Sequence, residues 1–224
     1  MAACTELSRT QSKKLLSKGQ VTVDGQLVKD SSFKVTENEI VQIQGKRIFL
    51  VGTRYLMLNK PAETVCTSIN DDSRSVMGLL DISKPELLHI AGRLDIDTTG
   101  LVLITDDGAW SHRITSPKKV CGKRYRVGLA EPIKESAALQ LKQGIQLKGE
   151  AKLTQPAILE IITPKEVILT IHEGKYHQVK RMFAALSNRV VSLHREQVGA
   201  ICLDKNLEQG AWRFLTEAEI NSAN

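Results

Sequence analysis

The sequence predicts an α+β protein built from a small N-terminal module and one larger domain. Short apolar runs bounded by Pro, Gly and Asp outnumber the helical patterns in this 224-residue chain, and they do not alternate regularly with helices. This pattern favours a largely antiparallel mixed sheet flanked by helices. With 42% hydrophobic residues, the chain can bury one good core and has room for a small extra module.

Residues 1–45 form the predicted module. Ser8 can cap a helix that Gly19 ends, and the segment QVTVDGQLV predicts a hairpin with Asp24 and Gly25 at its turn. A last strand in EIVQIQG closes the module. A solvated helix surface would carry charge in the same way, but this helix has one basic face, formed by Arg9, Lys13, Lys14 and Lys18.

A linker over residues 46–54 leads into a strand-rich domain over residues 55–224. Its predicted strands are RYLMLNKP, LLHIAGRL, LVLIT, RYRVGLAEP, AILEIITP and EVILTIHEG. Helices are predicted in GAWSHRIT, KESAALQLKQG and YHQVKRMFAALSN, and Thr216 with Glu219 forms the capping box of a short terminal helix. The third of these helices has a predicted buried stripe of Val179, Met182, Phe183 and Leu186.

The charge balance favours a polyanionic partner. Thirty-one Lys and Arg against 25 Asp and Glu give a net charge of +6 and a pI near 9.1. Nucleic acid is the first candidate, although a solvated basic surface would look the same. The four cysteines are scattered, which indicates neither a zinc site nor a disulfide framework. We expect reduced thiols, a cytoplasmic location and no membrane span.

The chemistry indicated by the residues is that of a carboxylate. The sequence contains no GxGxxG, Walker, HExxH or GxSxG motif, so we expect no cofactor and no metal. Asp95, in HIAGRLDIDTTGLVLITDDG, is the candidate because it lies among apolar residues just before a turn. An Asp in this position is more often a turn or cap residue than a reagent, and the residues alone leave both roles open. Asp97, Asp106 and Asp107 fit the structural role better.

The segment GRLDIDTTGLVLITDDG resembles the signature of the RsuA-like branch of the pseudouridine synthases. Further segments agree in the expected order: YLMLNKP at 55–61, KRYRV at 123–127 and EGKYHQVKRM at 173–182. Residues 8–45 resemble the S4-like RNA-binding domain, whose first helix we expect to be short or absent here. The resemblance implies an S4-like domain followed by a pseudouridine synthase catalytic domain.

The resemblance also implies a reaction. The uracil of a specific uridine leaves the ribose at N1, turns, and is rejoined through C5. The implied substrate is small-subunit (16S) ribosomal RNA, either free or in an assembling ribosomal particle. We expect the protein to act as a monomer. The sequence does not determine which uridine reacts, or whether the nucleophile attacks the sugar carbon or the base.

Three residues are assigned to catalysis through the resemblance. Asp95 is the implied nucleophile, and a carboxylate removed from water needs a nearby cation to stay ionised. Arg181 matches the basic position of the family's VKRM segment and is expected to pair with it. Tyr125 matches the active-site tyrosine, whose ring can stack on uracil and whose hydroxyl is a candidate acceptor of the C5 proton. Strand alternation places Arg124 and Arg126 on the opposite face.

The target uridine must leave the RNA stack, because its reacting atoms are out of reach inside a helix. Arg93 resembles the family residue that fills the resulting gap. Only 4% of the residues are aromatic, which favours recognition of folded RNA by its shape. Other basic residues suit phosphate contacts: Lys118, Lys119, Lys123, Arg124, Arg126, Lys175, His177, Lys180 and Arg195.

Three other functions share part of this pattern. A large-subunit ribosomal RNA pseudouridine synthase of the same family would carry the same motifs. A noncatalytic RNA-binding or ribosome-assembly factor would keep the fold without the reaction. An N-glycosidase would also place an Asp near an anomeric carbon, but we find no convincing second carboxylate in the sequence.

Overall fold

The computed structural model describes residues 7–36, 39–48, 52–67, 74–116 and 121–223. The chain divides into two compact units, Met1–Thr53 and Arg54–Asn224. Two of the predicted phosphate contacts, Lys118 and Lys119, lie outside the described residues.

In its described residues, the first unit contains one helix and a four-stranded antiparallel sheet in the order β2-β1-β3-β4. Its elements are α1 (Arg9–Ser17), β1 (Val21–Val23), β2 (Gln26–Leu27), β3 (Val41–Ile43) and β4 (Lys46–Ile48). Leu15 and Leu16 of α1 pack on the buried valines of the sheet, which form a small core.

Local chemistry sets the ends of these elements. The Ser8 Oγ accepts a hydrogen bond from the Gln11 backbone N–H at 3.2 Å, and the Gln11 side chain accepts one from the Ser8 backbone N–H at 2.8 Å. This is the capping box that begins a helix. Asp24 and Gly25 have φ of 49° and 81°, the left-handed conformation of a two-residue hairpin turn. The predicted helix and hairpin are confirmed.

The segment predicted as a linker, residues 46–54, begins with a strand instead. Gln44 and Gly45 have φ of 52° and 79°, so a second tight turn returns the chain antiparallel to β3. β4 therefore extends the sheet, with Ile48 opposite Val41. The prediction failed because a two-residue turn was interpreted as the end of the module.

The described part of the second unit contains nine strands and four helices. The strands are β5 (Tyr55–Lys60), β6 (His89–Ala91), β7 (Thr99–Thr105), β8 (Lys123–Leu129), β9 (Ile158–Thr163), β10 (Glu166–Ile171), β11 (Val190–Val198), β12 (Ile201–Cys202) and β13 (Trp212–Phe214). The helices are α2 (Gly108–Thr115), α3 (Ala137–Gln143), α4 (Gln178–Ala185) and α5 (Glu217–Asn221), with 3₁₀ turns at Val76–Leu79 and Pro85–Leu87.

One mixed sheet organises this unit, in the order β13-β5-β7-β11-β8-β10-β9, and β6 and β12 pair with β7 and β11. β11 is parallel to β7, and the other described pairs are antiparallel. The predicted α+β class with a largely antiparallel mixed sheet is confirmed.

Alternate residues of β5 and β7 belong to two different cores, so both faces of the sheet are covered. Val179, Met182 and Phe183 of α4 are buried in one core, and Leu186 packs at its edge. Trp110 of α2 is buried in the other. The predicted buried stripe of α4 is confirmed.

The sequence does not predict β11, the nine-residue strand in the middle of the sheet. One of its buried positions holds Arg195, which is 1% exposed, so the strand lacks a continuous apolar face. β11 approaches β7 closely at Gly100, whose φ is 102° and where a Cβ would lie 2.4 Å from the Arg195 carbonyl oxygen. Glycine at this position permits the parallel pairing, which brings the loop before β7 next to β8.

Candidate active site

Asp95 lies in the loop between β6 and β7, at the edge of an open pocket. Its backbone carbonyl accepts a hydrogen bond from the Thr98 N–H at 3.1 Å, so the residue does begin a turn. Its carboxylate, 28% exposed, lines a pocket of about 740 Å³ together with Tyr125. Ligand pockets commonly measure roughly 300–1,000 Å³. Asp95 is thus a turn residue whose carboxylate is accessible from the pocket.

A buried guanidinium fixes the start of this loop. Arg195 of β11 donates from NH2 to the Gly92 carbonyl at 2.8 Å and from NH1 to the Arg93 carbonyl at 3.4 Å. Its Nε donates to the Leu101 carbonyl of β7 at 2.8 Å. Because all three acceptors are backbone groups, Arg195 ties the loop carrying Asp95 to the sheet.

A buried ammonium fixes the end of the same loop. Lys60, at the end of β5, is 0% exposed. Its Nζ donates to the carbonyls of Pro61 at 3.0 Å, Ile96 at 3.0 Å and Thr98 at 2.8 Å. Burial lowers the pKa of Lys60 from its usual value, while the negative charge of Asp95 nearby acts in the opposite direction.

Lys180 and His177 contact the Asp95 carboxylate. Lys180 Nζ lies 3.5 Å from Oδ2, and His177 Nε2 lies 3.5 Å from Oδ1. Lys180 also donates to Asp97 Oδ1 at 2.5 Å, and this hydrogen bond lowers the pKa of the Asp97 carboxyl. Asp97 therefore anchors the Lys180 ammonium beside Asp95.

Arg181, predicted to pair with Asp95, lies elsewhere. Its NH1 donates to Glu150 Oε1 at 3.2 Å, and its NH2 donates to the Lys148 carbonyl at 2.7 Å. Neighbouring residues of a helix differ by about 100° in direction, so Lys180 and Arg181 leave α4 toward different loops. The structure does place a cation beside Asp95, but it is Lys180. The segment VKRM carries no signal that tells the two apart.

Tyr125 lies on β8, is 7% exposed and lines the same pocket. Arg124 and Arg126 point to the opposite side of the strand, as alternation predicts. Arg124 pairs with Glu160 and Arg126 with Glu166, each at 2.6 Å. The two arginines are thus engaged in partly exposed ion pairs on the side of the strand away from the pocket.

Tyr176 and His177 form a stacked pair on the pocket lining, with ring centroids 3.8 Å apart and an interplanar angle of 20°. His177 has φ 46° and ψ 37°, a left-handed conformation that is uncommon for a residue other than glycine. It precedes α4 and presents its imidazole to Asp95. Tyr176 is 76% exposed. It was not predicted as a site residue, because a single tyrosine in the sequence does not indicate that it lines a pocket.

The other predicted RNA-binding residues differ in their exposure. Arg93 is exposed and lines the pocket. Lys123 lines the pocket too and is 9% exposed, so it lies at the pocket rather than on the open surface. Arg195 is buried and bonded to carbonyls, so its prediction as a phosphate contact is wrong. In the first unit, the predicted basic face is exposed: Arg9, Lys13, Lys14 and Lys18.

Within the residues that the structure describes, no three His, Cys, Asp or Glu side chains are grouped so as to hold a metal ion. No helix in the same ranges has the length and apolarity needed to cross a membrane.

Comparison with known families identifies the class of the protein. The model of the RNA pseudouridylate synthase family matches residues 54–185, and the S4 domain model matches residues 6–41. The first match spans more than half of the chain and contains the Asp95 loop, β8 and α4. The chain belongs to the RNA pseudouridylate synthase family, and the prediction of a pseudouridine synthase with an S4-like domain is confirmed.

Individual relatives agree with this assignment. The chain is 54% identical over 215 residues to the ribosomal small subunit pseudouridine synthase A of Vibrio cholerae, covering 96% of this chain and 93% of the relative. It is 51% identical over 217 residues to the protein of the same name from Escherichia coli, with coverages of 96% and 94%. A solved structure described as a pseudouridylate synthase superposes with a TM-score of 0.74 at 45% identity, covering 100% of this chain and 96% of the other.

Proposed function

We propose that this chain converts a specific uridine of small-subunit ribosomal RNA to pseudouridine, with Asp95 as the nucleophile. Family membership and identities of 51–54% to small-subunit synthases over 96% of the chain support the reaction and the substrate. One observation carries the assignment of Asp95: its carboxylate is accessible in the pocket while its loop is held by two buried cations.

The pocket suits a nucleotide that has left the RNA stack. Its walls include the apolar side chains of Ile171, Val179 and Leu193, against which a uracil ring can pack. Flipping costs a few kcal/mol, which new contacts must offset. Arg93 is exposed at this pocket and, in our proposal, fills the gap that the uridine leaves in the RNA.

The ionised form of Asp95 is the reactive one, whether it attacks the sugar carbon or the base. The Lys180 ammonium supplies an opposite charge at 3.5 Å. Because Lys180 is bonded more closely to Asp97, it keeps a counter-charge when the Asp95 carboxylate becomes covalently bound. The charge partner can therefore stay in place throughout the reaction.

Tyr125 acts after the ring has turned. Its ring lies in the pocket wall and stacks on uracil, and its hydroxyl accepts the C5 proton in our proposal. The first unit binds structured RNA through the basic face of α1, at phosphates that position the substrate without specifying its sequence. We further propose that the protein acts as a monomer in the cytoplasm and takes ribosomal RNA either free or in an assembling particle.

The decisive experiment is to incubate the protein with ribosomal RNA transcripts and particles of both subunits and to map pseudouridine by site. We expect one product site in small-subunit RNA, none with Asp95→Ala, and normal product with Asp81→Ala, which removes an exposed carboxylate. Product in large-subunit RNA alone would reassign the substrate. Absence of product and of tritium release from C5-labelled uridine would indicate a noncatalytic RNA-binding protein, and free uracil would indicate a glycosidase.

A further inference from the structure

Lys123 is a largely buried lysine whose ammonium has no described partner at the candidate active site. It lies on β8, is 9% exposed and lines the Asp95 pocket. Among the residues that the structure describes, none forms a hydrogen bond or an ion pair with its side-chain Nζ, while its backbone pairs within the sheet. Lys60 and Arg195, which are also buried, each donate to three backbone carbonyls instead.

An unpaired buried charge lowers the stability of a folded protein. Burial lowers the pKa of Lys123, and the positive charge of Arg195 acts in the same direction. A methionine of similar length would avoid this cost. Positions where a protein retains such a group are frequently functional sites, where a ligand supplies the missing partner.

The strand geometry places Lys123 beside the position that the uracil ring takes in the proposed function. Lys123 and Tyr125 are two residues apart on β8 and face the same side, so their Cα atoms are separated by about 7 Å. Both line the pocket that contains the Asp95 carboxylate. A uracil ring stacked on Tyr125 and reached by Asp95 therefore lies within reach of the flexible Lys123 side chain.

We propose that Lys123 is a further catalytic residue, which donates a hydrogen bond to a carbonyl oxygen of the uracil and stabilises the negative charge that forms there. The inference rests on the proposed function. It assigns Lys123 to the base of the flipped uridine, rather than to the phosphate backbone.

Negative charge forms on the uracil whether Asp95 attacks the sugar carbon or the base. When the bond between C1′ and N1 breaks, its electron pair stays with the uracil and is shared between N1 and the carbonyl oxygens. If Asp95 first adds to the ring, the displaced pair moves to a carbonyl oxygen as an enolate. Formation of the bond from C5 to C1′ consumes that charge, and the Asp95 carboxylate leaves from C1′ or, if it added to the ring, from the ring. The proton lost from C5 is balanced by one gained at N1. Lys123 transfers no proton, and its ammonium acts as an electrostatic donor to the oxygen on which the negative charge develops.

The test compares wild type with Lys123→Met in single-turnover reactions on RNA that contains either uridine or 5-fluorouridine at the target. Fluorine at C5 withdraws electrons and stabilises the ring anion, so the 5-fluorouridine substrate depends less on Lys123. We expect the single-turnover rate constant for consumption of the target nucleotide to fall about 10²- to 10³-fold on uridine RNA, and by a factor at least about ten times smaller on 5-fluorouridine RNA. The matched control is Lys205→Met, which removes an exposed lysine and should leave both rates unchanged.

Two further measurements separate a catalytic role from a structural one. Removal of an unpaired buried charge should leave the Tm of Lys123→Met equal to or above that of wild type, and the Kd for RNA should change by less than about threefold. If Lys123→Met does not fold, the pair Lys123→Arg and Lys123→Gln carries the test, because only the arginine variant keeps the charge and should retain activity. Equal losses on both RNAs, or no loss on either, would overturn the inference while leaving the proposed function intact. No pseudouridine from wild type would overturn both.

Discussion

The ammonium of Lys180 lies 3.5 Å from the carboxylate of Asp95, and the next residue in the helix contacts a different loop. The two groups come from α4 and from the loop between β6 and β7, which are more than eighty residues apart in the chain. Their proximity depends on the sheet that lies between these segments. Three properties of the site, the acid stability of α5 and one property of the first unit can be tested directly.

Replacement of Lys180 by Met should reduce kcat about 10- to 100-fold, because the Asp95 carboxylate loses the opposite charge that lies 3.5 Å away and favours its ionised form. Steady-state kinetics on ribosomal RNA checks this. Arg181→Met is the matched control on the adjacent residue, and its kcat should stay within about threefold of wild type. If the control loses more activity than Lys180→Met, the assignment of the charge partner to Lys180 is wrong.

Arg195→Met should lower the free energy of unfolding by about 3–5 kcal/mol, because the buried carbonyls of Gly92 and Leu101 lose their charged donor. Urea denaturation measures the change. Arg126→Met, whose side chain is 46% exposed, should cost less than about 1 kcal/mol. Similar losses in the two variants would mean that the Arg195 contacts do not hold the loop.

Tyr125→Phe should lower kcat about 10²- to 10⁴-fold with little change in RNA affinity, because the ring remains while the proton acceptor is removed. Tyr125→Leu should weaken both, since the stacking surface is lost as well. Product formation and binding measured on the same RNA distinguish the two effects. A Phe variant as active as wild type would leave the tyrosine with stacking alone.

Acid should weaken the anchoring of α5 through Glu219, whose pKa is lowered to about 2, chiefly by hydrogen bonds from Arg213. A carboxyl with a lowered folded-state pKa stabilises the protein above its unfolded pKa, and this contribution disappears as pH falls from about 4.5 to about 2. The free energy of unfolding of Glu219→Gln should therefore be up to about 3 kcal/mol lower than that of wild type at pH 7. This difference should shrink as the pH falls below about 4.5.

The glutamine variant keeps a side-chain oxygen that can accept from the Thr216 N–H, so the capping box survives and the comparison reports on the charge. Urea denaturation of both proteins between pH 7 and pH 3 gives the difference. A difference that is independent of pH would show that the ionised form contributes nothing.

Substitution of Lys13 and Lys14 by Gln should weaken RNA binding and make it less sensitive to salt. Each lost phosphate contact reduces the slope of log K against log salt concentration by about 0.7–0.9 in magnitude. The slope of the double variant should therefore be smaller than that of wild type by about 1.5. Lys29→Gln with Lys34→Gln removes two exposed lysines of the same unit outside the helix and should change the slope little. Equal changes in both double variants would argue against a specific role for the α1 face.

The ends of the helices could be predicted from residues close to them in the sequence. Asp107 caps α2 by accepting from the Ala109 and Trp110 N–H groups, and Thr216 with Glu219 caps α5 through both hydrogen bonds of the capping box. These contacts join residues two or three positions apart. The spacing of residue types in the sequence therefore contains the information that forms them.

The pairing of the strands was harder to predict from the sequence. β11 was not predicted because one of its buried side chains is an arginine. Arg195 donates to a carbonyl on a loop about a hundred residues earlier in the chain, and the local pattern of apolar residues does not indicate such a contact. The same holds for β4, whose pairing with β3 depends on a turn of two residues in the left-handed conformation.

The sequence by itself determined the α+β class, the ends of most helices, the family and the nomination of Asp95, because these rest on local hydrogen bonds and on the order of motifs. Only the tertiary structure decided that Lys180 rather than Arg181 approaches Asp95, and that Lys123 is buried in the pocket rather than exposed to phosphate. The direction and burial of a side chain are set by the register and packing of segments distant in the chain, and a sequence pattern specifies the residue type without specifying what it will face.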